Sequence, residues 1–301
     1  IISASKSLKI SGIGLNSNSD VEEEDIFSSG LFASVELGAT GDGGNLIVET
    51  GNLNISAGGK IVANTLGEGN AGNIFIRANN LEVRDTVLAR LGTRSGINST
   101  VELQGIGNGG NLEIIANNLS LVDGGSIAAD SLGQGNAGNI NIQAQKIDIT
   151  GVSLGEPVFN IEQKSLPSSI SAFAQGNFNA GSITINTDSL NLTDRGNLSV
   201  SNSSNGNSGN LDITATKLNL DRSGNIEAKV NTGSQGNINL TTNNIFLNND
   251  SEITAAATGT ATGGNIFINN IDNLVLLLAF QPSVLSAWVS RAVYMPRRLP
   301  R

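Results

Sequence analysis

The stretch Gly69-Asn70-Ala71-Gly72-Asn73-Ile74-Phe75-Ile76 decides the fold of this chain, because it returns almost unchanged at residues 135–142. Its second half is a Gly followed by an Asn or Ser, an aliphatic residue, any residue and another aliphatic residue. In register with the repeat, this pattern has eight anchors, at Asn45, Asn73, Asn111, Asn139, Ser182, Asn210, Asn237 and Asn265. Five of the seven steps between anchors are 27 or 28 residues, and the other two are 38 and 43. A fixed period of this size is typical of a solenoid of stacked coils.

Each repeat carries three pairs of aliphatic residues, at positions +1 and +3, +8 and +10, and +16 and +18 from the anchor. In the repeat of Asn111 the pairs are Leu112 and Ile114, Leu119 and Leu121, and Ile127 and Ala129. Alternation with a period of two puts both members of a pair on one face of a strand. The sequence therefore predicts an all-β fold, a right-handed parallel β-helix with three short strands in each coil of about 28 residues.

The repeat also sets the predicted domain organisation. Residues 1–43 are expected to form partial N-terminal coils with an acidic insertion at 16–25, and residues 44–276 the repeated coils of the β-helix. Insertions near 90–103 and 152–169 account for the two long steps between anchors. Residues 277–301 form a tail outside the repeat. Because no signal peptide is visible and the chain begins with Ile1, we expect it to be a piece of a longer protein.

The anchor residue has two interpretations. Equivalent Asn side chains on neighbouring coils can form an amide ladder, as stacked Asn residues do in cross-β structures. Alternatively, the row of amides is presented to a glycan. We favour the ladder, because the position is fixed in the repeat and is not confined to one patch. Ser182 interrupts the row, and the Gly before each anchor is expected to provide a positive φ at the corner.

Composition excludes several classes of function. The net charge of −9 argues against nucleic-acid binding, because an acidic rod repels phosphates. The chain has no Cys and no His, which excludes disulfides, thiolate catalysis and zinc–thiolate sites. We expect no cofactor, no metal and a monomeric rod. A lack of Cys also suits a secreted bacterial protein that crosses membranes unfolded.

The two Gly-Asn-Ala-Gly-Asn-Ile segments at 69–74 and 135–140, followed by Ala-Asn-Asn-Leu at 78–81 and Ala-Gln-Lys-Ile at 144–147, resemble a known family. They are similar to the filamentous hemagglutinin-like exoproteins of the two-partner secretion pathway, in their cyanobacterial version. The resemblance covers about residues 31–276. It implies a β-helix at the bacterial cell surface, exported through an outer-membrane barrel transporter and active in adhesion. The Asn-Pro-Asn-Gly-type motif of the family's secretion domain is absent, since no Asn-Pro pair occurs.

The insertions are candidate binding loops, because insertions in a solenoid emerge on one side. The acidic run Asn16–Asp25 has clustered oxygen ligands that suit calcium, but charge runs of this kind are usually solvated turns. If a glycan binds, the aromatic residues near the third insertion are the candidates: Phe159, Phe173 and Phe178. Tolerated surface loops are the alternative interpretation of all three insertions.

The C-terminal tail, residues 277–301, is unlike the rest of the chain. It contains the single Trp, Tyr and Met, three of the five Pro residues and a basic end with Arg297, Arg298 and Arg301. One interpretation is an amphipathic helix that caps the open end or touches a membrane. The other, which the abrupt loss of the repeat in mid-coil favours, is a reading-frame change in the gene.

No catalytic residues are expected. Parallel β-helices host polysaccharide lyases and hydrolases, but hydrolysis needs two facing carboxylates. Asp148, Asp194, Asp212 and Asp221 stand at unlike positions of the repeat. We therefore predict a secreted, surface-displayed adhesin or structural exoprotein, with host-cell or matrix glycans or proteins as partners. The alternatives are an extracellular polysaccharide-binding module and, third, a degenerate polysaccharide lyase.

Overall fold

A computed structural model describes residues 1–15, 26–84, 94–154, 165–234, 236–269 and 272–277. Within these ranges the chain is all-β and contains no helix. Its strands form two large parallel sheets that run the length of the described chain, together with two short antiparallel hairpins. This architecture is β-helix-like, as the period of the sequence predicts.

The larger sheet is built from one long strand per repeat. Its strands, in spatial order, are β1 (Ile2–Ser11), β5 (Leu46–Ser56), β7 (Ile74–Arg84), β9 (Leu112–Val122), β11 (Ile140–Thr150), β15 (Ile183–Thr193), β17 (Leu211–Asp221), β19 (Ile238–Asn248) and β21 (Ile266–Asn269), with β22 (Asn273–Leu277) also paired to β19. Leu46 pairs with Ile74, Ile74 with Leu112, and Leu112 with Ile140. The register therefore joins residues one repeat apart.

In the repeats from Asn45 to Asn237, the first two aliphatic pairs lie in one strand of 11 residues, and not in two separate strands as predicted. The last repeat has two separate strands, β21 and β22. In β7, Ile74, Ile76 and Ala78 are buried, then Asn79 and Asn80 are both exposed, and Leu81 and Val83 are buried again. The alternation thus changes phase at two residues. No loop is needed there, because hydrogen bonding to the neighbouring coils resumes at Asn80.

The third aliphatic pair lies in the smaller sheet. Its strands, in chain order, are β4 (Gly30–Phe32), β6 (Lys60–Val62), β8 (Gly96–Asn98), β10 (Ser126–Ala128), β14 (Ser169–Ala174), β16 (Asn197–Asn202), β18 (Asn225–Val230) and β20 (Glu252–Ala257). All of them pair in parallel. β8 falls inside the range 90–103 that was predicted to be an insertion, and it pairs with β6 and β10 as a regular part of the coil.

The core lies between the two sheets and is continuous from Ile10 to Ile266. The aliphatic residues predicted to face inward in the Asn111 repeat, Leu112 to Ala129, are all at most 1% exposed. Each coil buries aliphatic side chains on one side only of each strand, so neighbouring coils are needed to complete both the burial and the backbone hydrogen bonds.

The two hairpins interrupt the parallel pattern at single places. β2 (Ile13–Leu15) pairs with β3 (Ile26–Ser28), and β12 (Val152–Leu154) pairs with β13 (Ser165–Pro167). They are the stems of the first and third predicted insertions. The acidic run 16–25 with its calcium hypothesis, residues 85–93, residues 155–164 including Phe159, and the tail 278–301 lie outside the described residues.

Candidate functional site

The anchor residues line up at the corner that precedes each long strand, which we call the first corner. Each anchor's side-chain oxygen accepts a hydrogen bond from the backbone N–H of the next anchor. The Oδ1 of Asn45 accepts from the N of Asn73 at 2.8 Å, and the Oδ1 of Asn111 accepts from the N of Asn139 at 2.9 Å. Ser182 continues this row, since its Oγ accepts from the N of Asn210 at 3.1 Å.

A second row of polar side chains lies three residues before the anchors. Its members are Asp42, Asn70, Asn108, Asn136, Asn179, Asn207 and Ser234. The same geometry recurs: the Oδ1 of Asn70 accepts from the N of Asn108 at 2.8 Å. Sequence reasoning missed this row, although its signal is present, because the repeated segment contains Gly-Asn twice. Two parallel rows therefore join the coils at the first corner.

In the first four anchored coils, two glycines allow this corner to form, but the expected positive φ belongs to only one of them. The Gly before the anchor does not have it. A Cβ added to Gly72 would lie 2.1 Å from the carbonyl oxygen of Gly44, so the close approach of two backbones excludes a side chain. Positive φ occurs three residues earlier, at Gly69 with φ +143°. The prediction that the Gly before each anchor has a positive φ was wrong. Glycine is needed there because two backbones approach closely, and not because of its φ.

The corner that follows each long strand, which we call the second corner, is where the hairpin insertions emerge. The β2–β3 hairpin follows β1, residues 85–93 follow β7, and the β12–β13 hairpin follows β11. These long strands alternate in the sheet with β5 and β9, which are followed by three-residue turns. Arg94 connects two of the insertions: its Nε donates to the carbonyl of Gly124 at 2.8 Å, and its Nη2 donates to Ser169 Oγ at 3.2 Å and to the carbonyl of Pro167.

Farther along the chain the second corner carries a network of charged side chains. Arg222 bonds both Asp194 and Asp221, and its Nη2 donates to Asp194 Oδ2 at 2.8 Å. The hydrogen bond from Arg222 holds the pKa of the Asp194 carboxyl below its usual range. Of the four scattered carboxylates, these two meet at one cation. Asp148 instead bonds Asn191, and Asp212 bonds Asn239.

Two further carboxylates lie in the segments that follow β8 and β10 of the smaller sheet. Burial raises the pKa of both Glu102 and Asp130. The Oδ1 of Asp130 accepts from the N of Phe173 at 2.8 Å and from Ser171 Oγ at 3.0 Å, which ties it to the following coil. Glu102 accepts from the side chain of Asn64 in the preceding coil. Both carboxylates thus connect coils in the way that the anchor residues do.

Two depressions lie on the outer surface. One, of about 390 Å³, spans the first three anchors and is lined by Asn45, Leu46, Ile47, Asn73, Ile74, Phe75, Asn111 and Glu113. The other, of about 200 Å³, is lined by Leu37, Leu66, Glu68, Ile106 and their neighbours. Phe75 was not among the aromatic residues that the sequence singled out. Phe173 and Phe178, which were, do not line either depression.

The described ranges contain no grouping of side chains typical of a metal site and no membrane-spanning helix. No group of three or more acidic side chains stands close enough to hold a metal ion there. Those ranges also contain no helix that is long and apolar enough to cross a membrane. A comparison of the chain with protein-family models found no match, and comparisons with curated proteins and with solved structures found none either.

Proposed function

We propose that this chain forms the rod of a secreted, surface-displayed exoprotein of bacteria, which serves in adhesion or as a structural element. In this proposal the β-helix is right-handed, with three inward-facing strand segments in each coil, and resembles the filamentous hemagglutinin-like exoproteins. The observation that carries the proposal is the unbroken connection between coils. The parallel register, the core and the anchor row all extend from the first coils to Ile266.

The connections between coils favour a stiff body. Every long strand from β5 to β19 is hydrogen-bonded to the coil before it and the coil after it, and the two rows at the first corner add side-chain bonds to each step from Asn45 to Asn237. Bending the rod would strain the hydrogen bonds between coils in both sheets and at the first corner. A stiff body suits a protein that holds binding surfaces away from the cell, where many weak contacts add through multivalency.

The proposed role is not enzymatic. The carboxylates with shifted pKa values, Glu102, Asp130 and Asp194, are each hydrogen-bonded to a neighbouring coil. Their partners are Asn, Ser, Arg and backbone groups, which gives each of them a role in joining the coils. The partners that we propose are an outer-membrane barrel transporter for export, and glycans or proteins of a host cell or matrix for adhesion.

Surface display is tested on the source bacterium with an antibody raised against the folded chain. We expect intact cells to be labelled, and external protease to remove the label without cell lysis. Disrupting the gene of the barrel transporter should abolish the label while the protein is still synthesised. Labelling that requires permeabilised cells in the undisturbed strain would contradict the proposal.

Adhesion is tested with the purified chain on inert beads. Coated beads should attach to cells or matrix-coated surfaces more than beads coated with the unfolded chain, and attachment should rise steeply with coating density because it is multivalent. Equal attachment of folded and unfolded coatings would leave the adhesive role without support, and display without attachment would favour the structural role.

A further inference from the structure

The larger depression lies on the outer face of the long-strand sheet, beside the first corner. Its rim is formed by the amides of Asn45, Asn73 and Asn111, and its floor includes Ile47 and Phe75. The Arg77 guanidinium lies 5.7 Å from the centre of the Phe75 ring. The site thus combines an aromatic surface with amide and guanidinium donors on three consecutive coils.

We propose that this depression binds a neutral polysaccharide, with a pyranose ring of the glycan packed on Phe75. A pyranose presents an apolar face of C–H groups and an edge of hydroxyls. Sites that take such ligands combine apolar or aromatic side chains with a few well-placed polar groups. The proposal deepens the adhesive role and rests on it for the ligand's extracellular origin, whereas the binding itself depends only on the folded chain.

The amide row supplies hydrogen-bond donors at a regular spacing. Each Asn amide has two N–H groups. Asn73 Nδ2 donates to Asn45 Oδ1 at 3.1 Å, which uses one of them and leaves one for a ligand. Coils of paired strands are about 4.8 Å apart, a distance similar to the length of one sugar unit in an extended β-linked glycan. Successive sugars can therefore meet successive amides along the rod.

Charge selects a neutral glycan over an anionic one. Glu113 lines the depression, and Glu49 stands 4.0 Å from the Arg77 guanidinium. The carboxylates outnumber the single cation at the site, and the whole chain carries a net charge of −9. Uronate or sulfate groups would be repelled here. Sugar hydroxyls, in contrast, can donate hydrogen bonds to the carboxylate of Glu113.

The apolar floor is a local feature, and the fold does not require it. At the repeat position of Phe75, the following coils carry Glu113, Asn141, Thr184, Asp212 and Asn239, and only the last coil again carries an aromatic residue, Phe267, all within the same parallel register. The sheet therefore tolerates polar residues at this outward position. Two apolar residues stand side by side at this position, Ile47 and Phe75, and both line the depression.

Binding is tested by calorimetry of the full chain with cellohexaose and with the hexamer of N-acetylglucosamine, and with oligogalacturonate as an anionic probe. We expect at least one neutral hexamer to bind and oligogalacturonate to bind more weakly. Phe75→Ala should weaken the neutral hexamer about tenfold, as expected when an aromatic contact is lost. Glu113→Gln, which keeps the size of the side chain, should weaken it less.

Phe246→Ala is the matched control, because Phe246 also lies on the outer face of the sheet with a cation, Lys217 Nζ, 5.5 Å from its ring centre. It should leave the affinity unchanged, and both variants should melt near the wild type. The proposal is overturned if neither neutral hexamer binds, if both Phe variants weaken binding equally, or if oligogalacturonate binds best. A failure here leaves surface display intact, since antibody labelling of cells does not depend on this depression.

Discussion

The first corner and the second corner join the same long strands, yet the first repeats from coil to coil with the same side-chain rows and the second varies in length. At the first corner, two backbones approach so closely that Gly72 cannot carry a Cβ, and the Asn rows repeat from coil to coil. At the second corner, the same step is made by a three-residue turn or by a hairpin, and non-glycine residues such as Arg222 and Ser223 take a positive φ there. Close approach occurs at this corner too, since a Cβ on Gly125 would lie 2.1 Å from the carbonyl oxygen of Val83.

The difference shows which part of the repeat carries the stacking and which part is free to vary. At the first corner, the side-chain oxygen of an Asn accepts the hydrogen bond of a backbone N–H in the next coil, a bond that a backbone carbonyl would otherwise have to accept. Each coil therefore depends on its neighbour. The second corner faces outward at the end of a strand, and its extra residues leave the ladder unchanged. Substitutions at the two corners should therefore differ in size, which allows the comparison to be tested.

The largest effect is expected at the glycines of the first corner. In Gly138→Ala, the new Cβ would lie 2.0 Å from the carbonyl oxygen of Gly110, so the two coils must move apart. We expect a loss of roughly 3 kcal/mol of stability, measured by urea denaturation. Gly44→Ala is the control at the same repeat position, because its Cβ would meet only Ala33 Cβ at 3.5 Å. Equal losses in the two variants would refute the packing argument.

A smaller effect is expected from the anchor row. Asn111→Ala removes the acceptor of the Asn139 N–H and should cost about 1–2 kcal/mol. Asn118→Ala removes another exposed Asn of the same coil, whose Nδ2 donates to Asn80 Oδ1. Its loss leaves no backbone group without a hydrogen-bond partner, so it should cost less than about 0.5 kcal/mol. Asn111→Ser should recover part of the loss, because Ser182 plays this role naturally. If Asn118→Ala cost as much, the row would have no special role.

At the second-corner positions where a non-glycine residue has a positive φ, substitution by glycine should be stabilising. Ser223 has a φ of 63°, a conformation that costs a non-glycine residue about 1–2 kcal/mol. Ser223→Gly relieves this strain but adds chain entropy to the unfolded state, so we expect a gain of about 0.5 kcal/mol. Ser201→Gly, inside the strand β16, should instead lose about 0.5–1 kcal/mol. A loss in both variants would contradict the proposed freedom of the second corner.

Much of this architecture could be predicted from residues that recur at a fixed spacing. The buried pairs such as Ile127 and Ala129 and the parallel register follow from the period alone. The joining of two predicted strands at Asn79 and Asn80 could not be foreseen, because polar residues at that point look like a turn while the neighbouring coils keep them in the ladder.

Features that depend on contacts between coils were also hidden. The extra residues of the Asn73 repeat are divided between two places. Thr65 and Glu68 pair with Val101 and Ile106 of the next coil, but two residues separate the first pair and four separate the second. Two of the extra residues therefore lie next to Leu103, outside the main insertion. The depression at Phe75 is formed by residues 28 and 38 positions apart. Single residues in separate repeats carry no pattern that marks them as neighbours.

The smallest effect is expected from the ion pair of the second corner, and pH reveals it. Because the pKa of Asp194 is lower in the folded chain than in the unfolded one, its contribution to stability is present above the unfolded pKa and is lost as the pH falls through the folded one. Asp194→Asn should lower the urea midpoint slightly at pH 7, and the gap to the wild type should close as the pH falls below the unfolded pKa of about 4 and through the lower folded one.

High salt should shrink the same gap at pH 7, since Asp194 and Arg222 are largely exposed and salt screens such pairs. Asp188→Asn, at an exposed position of the same coil, is the control and should leave the midpoint unchanged. A gap that persisted at low pH would mean that Asp194 acts through its shape and its hydrogen bond from Thr150, and not through its charge. The second corner would then resemble the first, where neutral hydrogen bonds between neighbouring coils carry the connection.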